Sequence, residues 1–262
     1  MILINKKIKN PLISIITVTK NSSLSLQRCI DSVSKQKFRN YEHIIIDGSS
    51  TDKTIEIIKN NKKNLRYAES KKDKNLWEAI NRGIKVSQGK IIGILNSDDI
   101  FYPNALNIVI KYFKEKDVDY LLGSVLKKKV YSGFFPTKIY YKFNIFPSHS
   151  VGFFVKRHVH EKYGYYDENL KYCSDYNLIY KLVKKKLKWS STTKTEVLGR
   201  FYYGGMSDKI NFVTTMYYQA KVRLKNNENI VYVLMLSFAH IIYYYLMKYS
   251  KIIKFFFRSI KL

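Results

Sequence analysis

IIGILNSDD, residues Ile91 to Asp99, joins an apolar run of strand character to a polar residue, a serine and two adjacent carboxylates. Pro103 follows where a helix would open. Open α/β sheets bind their ligands at the carboxyl ends of their strands, which is where Asp98 and Asp99 would stand. Hard cations such as Mg²⁺ or Mn²⁺ take oxygen ligands, and Mg²⁺ is commonly held by one or two carboxylates together with substrate phosphates. The segment therefore predicts a metal-clamped, phosphate-bearing substrate. An Asp-Asp pair ahead of a helix is also an ordinary cap or turn, so the neighbouring segments decide between the two readings.

Working outward, Leu12 to Thr19 (LISIITVT) and Tyr41 to Asp47 (YEHIIID) have the continuous apolar, β-branched character of strands buried on both faces. Between them, Leu26, Ile30 and Val33 recur at helical spacing within Leu24 to Gln36. Asp52 is placed to cap a helix running through Lys59. Leu65 to Ala68 reads as a short third strand. Leu76 to Ser87 reads as a helix that Gly89 would stop, and Ile91 to Leu95 as a fourth strand. Strand and helix alternating in units of about thirty residues predict a parallel sheet with right-handed crossovers. Beyond Leu126 the alternation becomes irregular, with a helix expected over Ser174 to Lys185 and a late strand over Thr195 to Phe201.

The 262 residues suffice for one large domain with an appendage. Forty-seven basic against 20 acidic residues give a formal charge of +27, which suits nucleic acid, an anionic membrane or phosphorylated substrates. Abundant Lys, Ile, Asn and Tyr also fit a low-GC genome, so composition alone leaves the source of the charge open. Cys29 and Cys173 stand far apart without metal-type spacing, and a reducing compartment is expected. The opening MILINKKIKNPLI lacks the order of a signal peptide, so a cytoplasmic location is expected.

The tail differs in kind. Ile230 to Met247 has 18 residues without Lys, Arg, Asp or Glu, the short end of the range of roughly 17–25 residues for a membrane-spanning helix. Lys248, Lys251, Lys254, Arg258 and Lys261 then recur every three or four residues beside Ile252, Ile253, Phe255, Phe256 and Ile260. This is the pattern of a basic amphipathic helix on an anionic membrane. Packing against the core and spanning the bilayer remain the other two readings.

In order along the chain stand SIITVTKN (Ser14–Asn21), IIIDGSSTDKT (Ile44–Thr54), DKNLWEAINRGIKVSQG (Asp73–Gly89) and ILNSDD (Ile94–Asp99). SHSVGFFVKR (Ser148–Arg157) and YGYYDENLKYCSDYNLIYKL (Tyr163–Leu182) continue the series. Together they resemble the inverting family 2 glycosyltransferases of the GT-A fold, over roughly residues 11 to 207, and the second half is similar to bacterial enzymes extending lipid-linked or surface polysaccharides. The resemblance implies an α/β Rossmann-like, mostly parallel sheet flanked by helices. It implies a catalytic domain at 11–208, and the pattern of the tail leaves 209–262 as a helical region expected to associate with a membrane.

The same resemblance distributes roles among residues. Thr17, Thr19 and Asn21 are expected against the nucleotide, with ordinary strand-end turn chemistry as the alternative. Asp47 is expected to contact the donor's uridine, and Asp73 to make a further nucleoside contact. Asn75 replaces the family's usual glycine and is expected to keep that turn through its tolerance of left-handed backbone. Asn96, Ser97, Asp98 and Asp99 occupy the metal-binding carboxylate motif, whose first position is often Asp. With Asn96 there, Asp98 and Asp99 are left to hold Mn²⁺ or Mg²⁺. Asp175 is the implied general base, ionised at neutral pH near an ordinary carboxylate pKa. His149 is expected to meet acceptor or phosphate, or to satisfy a loop. Arg200 is expected at the diphosphate, and Gly204 to Ser207 in a closing loop. Trp77, Asp167 and Glu168 read as structural, Arg82 as exposed or phosphate-facing.

The expected partners are a nucleotide-sugar donor, a glycan acceptor on a polyprenyl diphosphate and an anionic membrane surface at the inner face of the cytoplasmic membrane. A nucleotidyltransferase would show a glycine-rich, lysine-bearing loop after the first strand, and VTKNSSLSL has no glycine. Nucleic acid is not expected as a partner: lysines and aromatics do meet in the tail, but its uncharged run suits lipid or core burial better.

Overall fold

Every residue of Ile13–Thr19 is buried, as a strand flanked on both sides by parallel partners requires. The computed structural model describes residues 1–6, 10–136, 138–141, 150–202 and 210–259, with 251–259 as backbone alone. Its first half runs β1 (Ile2–Asn5), β2 (Ile13–Thr19), α1 (Leu26–Ser34), β3 (Tyr41–Asp47), α2 (Thr54–Asn60), β4 (Tyr67–Ser70), α3 (Leu76–Val86) and β5 (Ile91–Ile94). There follow β6 (Ile100–Phe101), α4 (Ala105–Glu115), β7 (Tyr120–Leu122), β8 (Ser124–Leu126), β9 (Val130–Tyr131) and α5 (Lys138–Tyr141). The remainder is β10 (Phe153–Lys156), α6 (Arg157–Tyr163), α7 (Ser174–Lys184), β11 (Trp189–Ser191), β12 (Val197–Arg200), α8 (Phe212–Lys225) and α9 (Ile230–Ser259).

Eight strands form the main sheet in the order β1-β4-β3-β2-β5-β10-β7-β11. The expected parallel quartet β4-β3-β2-β5 is its centre. Two features lie outside the alternating pattern. β1 adds an antiparallel edge to β4, and β10 runs antiparallel to both β5 and β7. Phe154 of β10 stands opposite Gly93 and is fully buried, its ring filling the space a side chain on Gly93 would take. A second sheet, β6-β12-β8-β9, holds the late strand predicted from sequence.

Alternation along β2 assigns its side chains to two cores. Ile16 and Val18 face α3 and α7 with Ile80, Ile84 and Leu178. Ile13 and Ile15 face α1 and α4 with Val33, Leu106 and Val109. Cys29 is buried on that second face, Cys173 is half-buried, and both are free thiols.

Three local expectations are corrected. Gly89 does not close α3: Ser87 ends it in an extended conformation. Gly89 instead brings its N–H to Ser14 Oγ (2.8 Å) and Glu42 Oε1 (3.1 Å), and a Cβ there would meet the Ser14 nitrogen at 2.5 Å. Asn75 is extended (φ −165°), not left-handed, and its Oδ1 caps α3 by accepting from the N–H groups of Trp77 (3.0 Å) and Glu78 (3.1 Å). Arg82 is neither exposed nor free: it reaches Glu69 (3.5 Å) and Asp73 (3.8 Å).

The C-terminal region divides in its packing. On α8, Val222 belongs to the core beneath α3 and α7, and the fully buried Arg223 donates to the Tyr140 carbonyl (2.6 Å). The beginning of α9 is docked on the sheet domain, where Val233 is buried and the Tyr232 hydroxyl donates to Tyr140 O (2.7 Å), and farther along the helix Tyr244 stacks on Phe212 of α8. Ile230–Ser250 forms 21 residues of mean hydropathy 1.8 with 6% of its most apolar window buried.

Candidate active site

Three acidic groups collect at the carboxyl ends of β3, β4 and β5, the edge where a parallel sheet exposes its crossover turns. Asp47 ends β3 and is fully buried. Its carboxylate accepts from Ser50 N (2.9 Å), Ser50 Oγ (2.5 Å) and Ser70 Oγ (2.7 Å), which fixes the turn carrying Gly48. Asp73 lies against that turn: a Cβ on Gly48 would come within 2.6 Å of Asp73 Oδ2. Burial raises the Asp73 carboxyl, opposed by Arg82 and Lys20 and reinforced by Glu78 and Asp47. Thr19 pairs with Asp47 across the strands, and its buried hydroxyl has no hydrogen-bond partner among the described residues. An orphaned buried hydroxyl on the strand position paired with Asp47 is a place from which a polar ligand can be held.

Thr17 and Asn21 do other work. Thr17 is fully buried, its hydroxyl 2.9 Å from His43 Nε2, so the side chain points into the fold and not toward the binding edge. Asn21 has left-handed backbone (φ +50°) and accepts from Thr51 N (2.8 Å), bracing the loop after β3. Asp52 accepts from Ser23 N (3.1 Å) and Thr54 N (3.0 Å), tying the turn after β2 to the start of α2.

The carboxylate segment follows β5 and is locked from three sides. Ser97 Oγ donates to Ser22 Oγ (2.9 Å), joining it to the turn after β2. Asn96 Nδ2 reaches Ser150 Oγ (3.0 Å) and Asp99 Oδ2 (3.4 Å). Asp99, 1% exposed, accepts at Oδ1 from the Tyr202 N–H (3.1 Å), which binds the segment to the chain leaving β12. Burial first, and then the neighbouring negative charge of Asp98, push the Asp99 carboxyl up to about 8. Such a pair fits a hard divalent cation, whose field would favour both ionised forms. Among the described residues no group of three or more His, Cys, Asp or Glu converges.

Arg28 was not among the residues singled out from sequence. Its Nη2 donates to the Asp98 carbonyl (3.0 Å), and its guanidinium lies 4.1 Å from the centre of the Tyr202 ring. Arg200 is exposed, with its guanidinium 5.2 Å from the same ring. Arg28 thus stands beside the acidic pair, and Arg200 shares the Tyr202 ring with it. One signal was legible: Arg28 lies early in the helix that starts from the carboxyl end of β2, so its polar face overhangs that edge.

Asp175 lies in the first turn of α7, after Cys173 in left-handed conformation (φ +62°). Its Oδ1 accepts from Tyr176 N (2.8 Å). Burial raises its carboxyl above the ordinary range, opposed by backbone N–H donors. The loop before it is supported by α3. Trp77 stacks on Tyr166 (centroids 5.5 Å apart, 8° between planes), and Asn81 Nδ2 donates to Tyr166 O and Glu168 Oε1, both at 2.8 Å. Asn75 Nδ2 donates to Glu168 O (2.9 Å), and Asp167 pairs with Lys225. Trp77, Asp167 and Glu168 are therefore structural, and α3 supports the Asp175 loop while its leading segment carries Asp73. His149 and the loop Gly204 to Ser207 lie outside the described residues.

A mostly parallel sheet with a reversed edge strand and a reversed internal strand, acidic groups along its carboxyl edge and a further aspartate opening a helix of the second half defines a GT-A-like glycosyltransferase. The chain belongs to glycosyl transferase family 2, whose model matches residues 14–181. It is 30% identical over 195 residues to an uncharacterized glycosyltransferase of Rickettsia typhi, covering 67% of this chain and 59% of that protein. The chain thus spans about three fifths of that relative's length. It is 36% identical over 116 residues to the poly(ribitol-phosphate) beta-N-acetylglucosaminyltransferase TarP of Staphylococcus aureus, covering 42% of this chain and 36% of TarP. In fold it is similar to S. aureus TarS 1-349 in complex with UDP-GlcNAc, with TM-score 0.66, 17% identity, and coverage of 86% of this chain and 70% of that one. It is also similar to the mannosyltransferase PcManGT from Pyrobaculum calidifontis in complex with GDP-Man and Mn²⁺, with TM-score 0.57, 15% identity, and coverage of 91% and 66%.

Proposed function

We propose that this family 2 glycosyltransferase takes its sugar from a UDP-sugar and transfers it, with inversion, to a hydroxyl of a growing surface glycan carried on a polyprenyl diphosphate. The observation that carries the donor half is the single edge uniting Thr19, Asp47 and Asp73 with Asp98 and Asp99, joined through Ser22 and Ser97. The UDP-GlcNAc complex of TarS supports a uridine donor, and the poly(ribitol-phosphate) in the name of TarP supports a polymer as acceptor.

In this reading Asp47 and Asp73 hold the nucleoside, Asp47 from a carboxylate already fixed by Ser50 and Ser70. Asp98 and Asp99 hold Mn²⁺ or Mg²⁺, which when bound neutralises charge on the departing diphosphate. Arg28 and Arg200 add cationic donors to the same diphosphate. Asp175 takes the proton of the acceptor hydroxyl as its oxygen attacks the anomeric carbon opposite the leaving group. One base and one displacement give inversion without a covalent enzyme intermediate. A carboxyl raised by burial is a stronger base than a solvated aspartate and so suits this task better.

We place the catalytic unit at 11–208 with α8 packed on it, and within 209–262 we assign membrane association, at the inner face of the cytoplasmic membrane, to the exposed length of α9. The exposed apolar length of α9 followed by Lys248, Lys251, Lys254, Arg258 and Lys261 supports this. Calorimetric titration with UDP, GDP, CMP and ADP, each with Mn²⁺, Mg²⁺ or chelator, tests the donor site. Metal-dependent preference for UDP, lost in Asp99→Ala, is the expected result. Preference for GDP would change the donor, and no binding under any condition would remove the catalytic reading.

A further inference from the structure

A cavity of about 540 Å³ lies away from the catalytic edge, between α8 and α9. The connection 226–229 turns the chain back on itself, so Phe212 at the start of α8 stacks on Tyr244 late in α9, with centroids 4.0 Å apart. Met216 and Ala220 form one wall, Ser237 and Ile241 the other, and Asn211 and Lys248 share the end where α8 begins. Lys248 is the one charged residue among the described residues lining it.

This distribution has a direction. Largely apolar walls lead toward a single charged side chain, Lys248. The groove is also continuous with a surface suited to lipid: Leu234, Phe238 and Leu246 of α9 are 63%, 66% and 64% exposed. A molecule dissolved in a bilayer against α9 can enter sideways without crossing water. The occupant that matches is an amphiphile with one long chain and one anionic head. A bulk bilayer phospholipid carries two chains and would leave one outside a single groove.

We propose that the groove between α8 and α9 binds the isoprenoid chain of a lipid phosphate, with Lys248 contacting the phosphate. The proposal rests on the reading of the acceptor as lipid-linked and adds the place where the lipid is held. It explains why α9 starts docked and then leaves the core: the helix supplies one wall of the groove and, on its other side, the bilayer contact.

The test uses the full chain and zwitterionic vesicles containing a polyprenyl phosphate with a photoreactive diazirine in its chain, with crosslinks mapped by mass spectrometry. Labels on Met216, Ala220 and Ile241, displaced by unlabelled polyprenyl phosphate but not by equal phosphatidylglycerol, are the expected result. Ala220→Trp and, from the opposite wall, Ser237→Trp fill the groove and should suppress labelling with UDP binding unchanged. Lys248→Glu should weaken the competition about tenfold, the effect of one charge-assisted contact. Labels confined to Leu234 and Phe238, or displaced equally by phosphatidylglycerol, would overturn the proposal. So would wild-type labelling in both filled variants. Groove labelling in a protein that binds no UDP would sink the donor reading and leave the lipid site standing.

Discussion

Asp175 separates chemistry from binding at the scale of one side chain. Asp175→Asn keeps the shape and removes the base, so transfer should fall by about 10²–10⁴-fold while UDP binding stays as in the wild type. Unchanged turnover in that variant would take Asp175 out of the mechanism. Because burial raises its carboxyl, the rate of transfer should climb with pH through an apparent pKa above the ordinary 3.8, measured as the acid limb of kcat/KM. His43 makes a different prediction. Burial lowers it from 6.5 to about 3, so the folded state resists its protonation. The stability this represents is complete above pH 6.5 and is lost as pH falls from 6.5 toward 3, by at most about 5 kcal/mol. Calorimetric melting at pH 7 and pH 5 should show a drop in the wild type and a smaller one in His43→Gln; equal drops would remove His43 as the cause. Asp47, Asp98 and Asp99 were legible in sequence because each ends a run whose burial fixes where its last residue stands. Thr17 was not: its hydroxyl turns to His43, a partner no local pattern identifies.

At the scale of elements, polar groups at the two ends of the same strands serve opposite purposes. At the amino ends, Glu42 is buried with Arg66 (2.5 Å) and accepts from Ser14 Oγ and the N–H groups of Gln88 and Gly89. That network is saturated and holds β2, β3 and the end of α3 together. At the carboxyl ends the acidic groups gather with the Thr19 hydroxyl unpartnered among the described residues and Asp99 raised, the state of a surface prepared for a ligand. Gly89 is the tightest point of the first network. Gly89→Ala drives a Cβ to within 2.5 Å of backbone, and a cost of about 1–3 kcal/mol is expected. Thermal melting should fall by several degrees with UDP affinity unchanged in the folded fraction; an unaltered melting temperature would mean that the strand yields freely. A glycine two residues past a helical pattern reads as a stop signal, and only the neighbouring strand reveals that it is a point of close approach. The direction of β10 was hidden for the same reason. Apolar character marks Phe153–Lys156 as a strand, but its antiparallel pairing depends on β5 and β7, both distant in sequence.

The whole molecule joins a sheet domain to a helix that largely leaves it. The structure places the useful cut within α9, because Tyr232 and Val233 are docked on the domain. A chain ending after Leu236 should keep the sheet domain folded, melt slightly lower for the loss of the Phe212–Tyr244 stack, and lose sedimentation with anionic vesicles. One ending after Asn229 should melt lower still, having lost Tyr232 and Val233 as well. Equal vesicle binding by the Leu236 truncation and the full chain would move the membrane contact away from α9. The sequence by itself determined the parallel quartet, the acidic residues at its carboxyl edge, the family, and a tail unlike the rest. All of these depend on spacing and residue type within short segments, where periodicity fixes which face is buried. Only the tertiary structure decided the reversed strand, the Arg28 contact with the acidic segment, the support of the Asp175 loop by α3, and the groove between α8 and α9. Each of these joins residues far apart in the chain, so it comes into being only when the strands and helices pack.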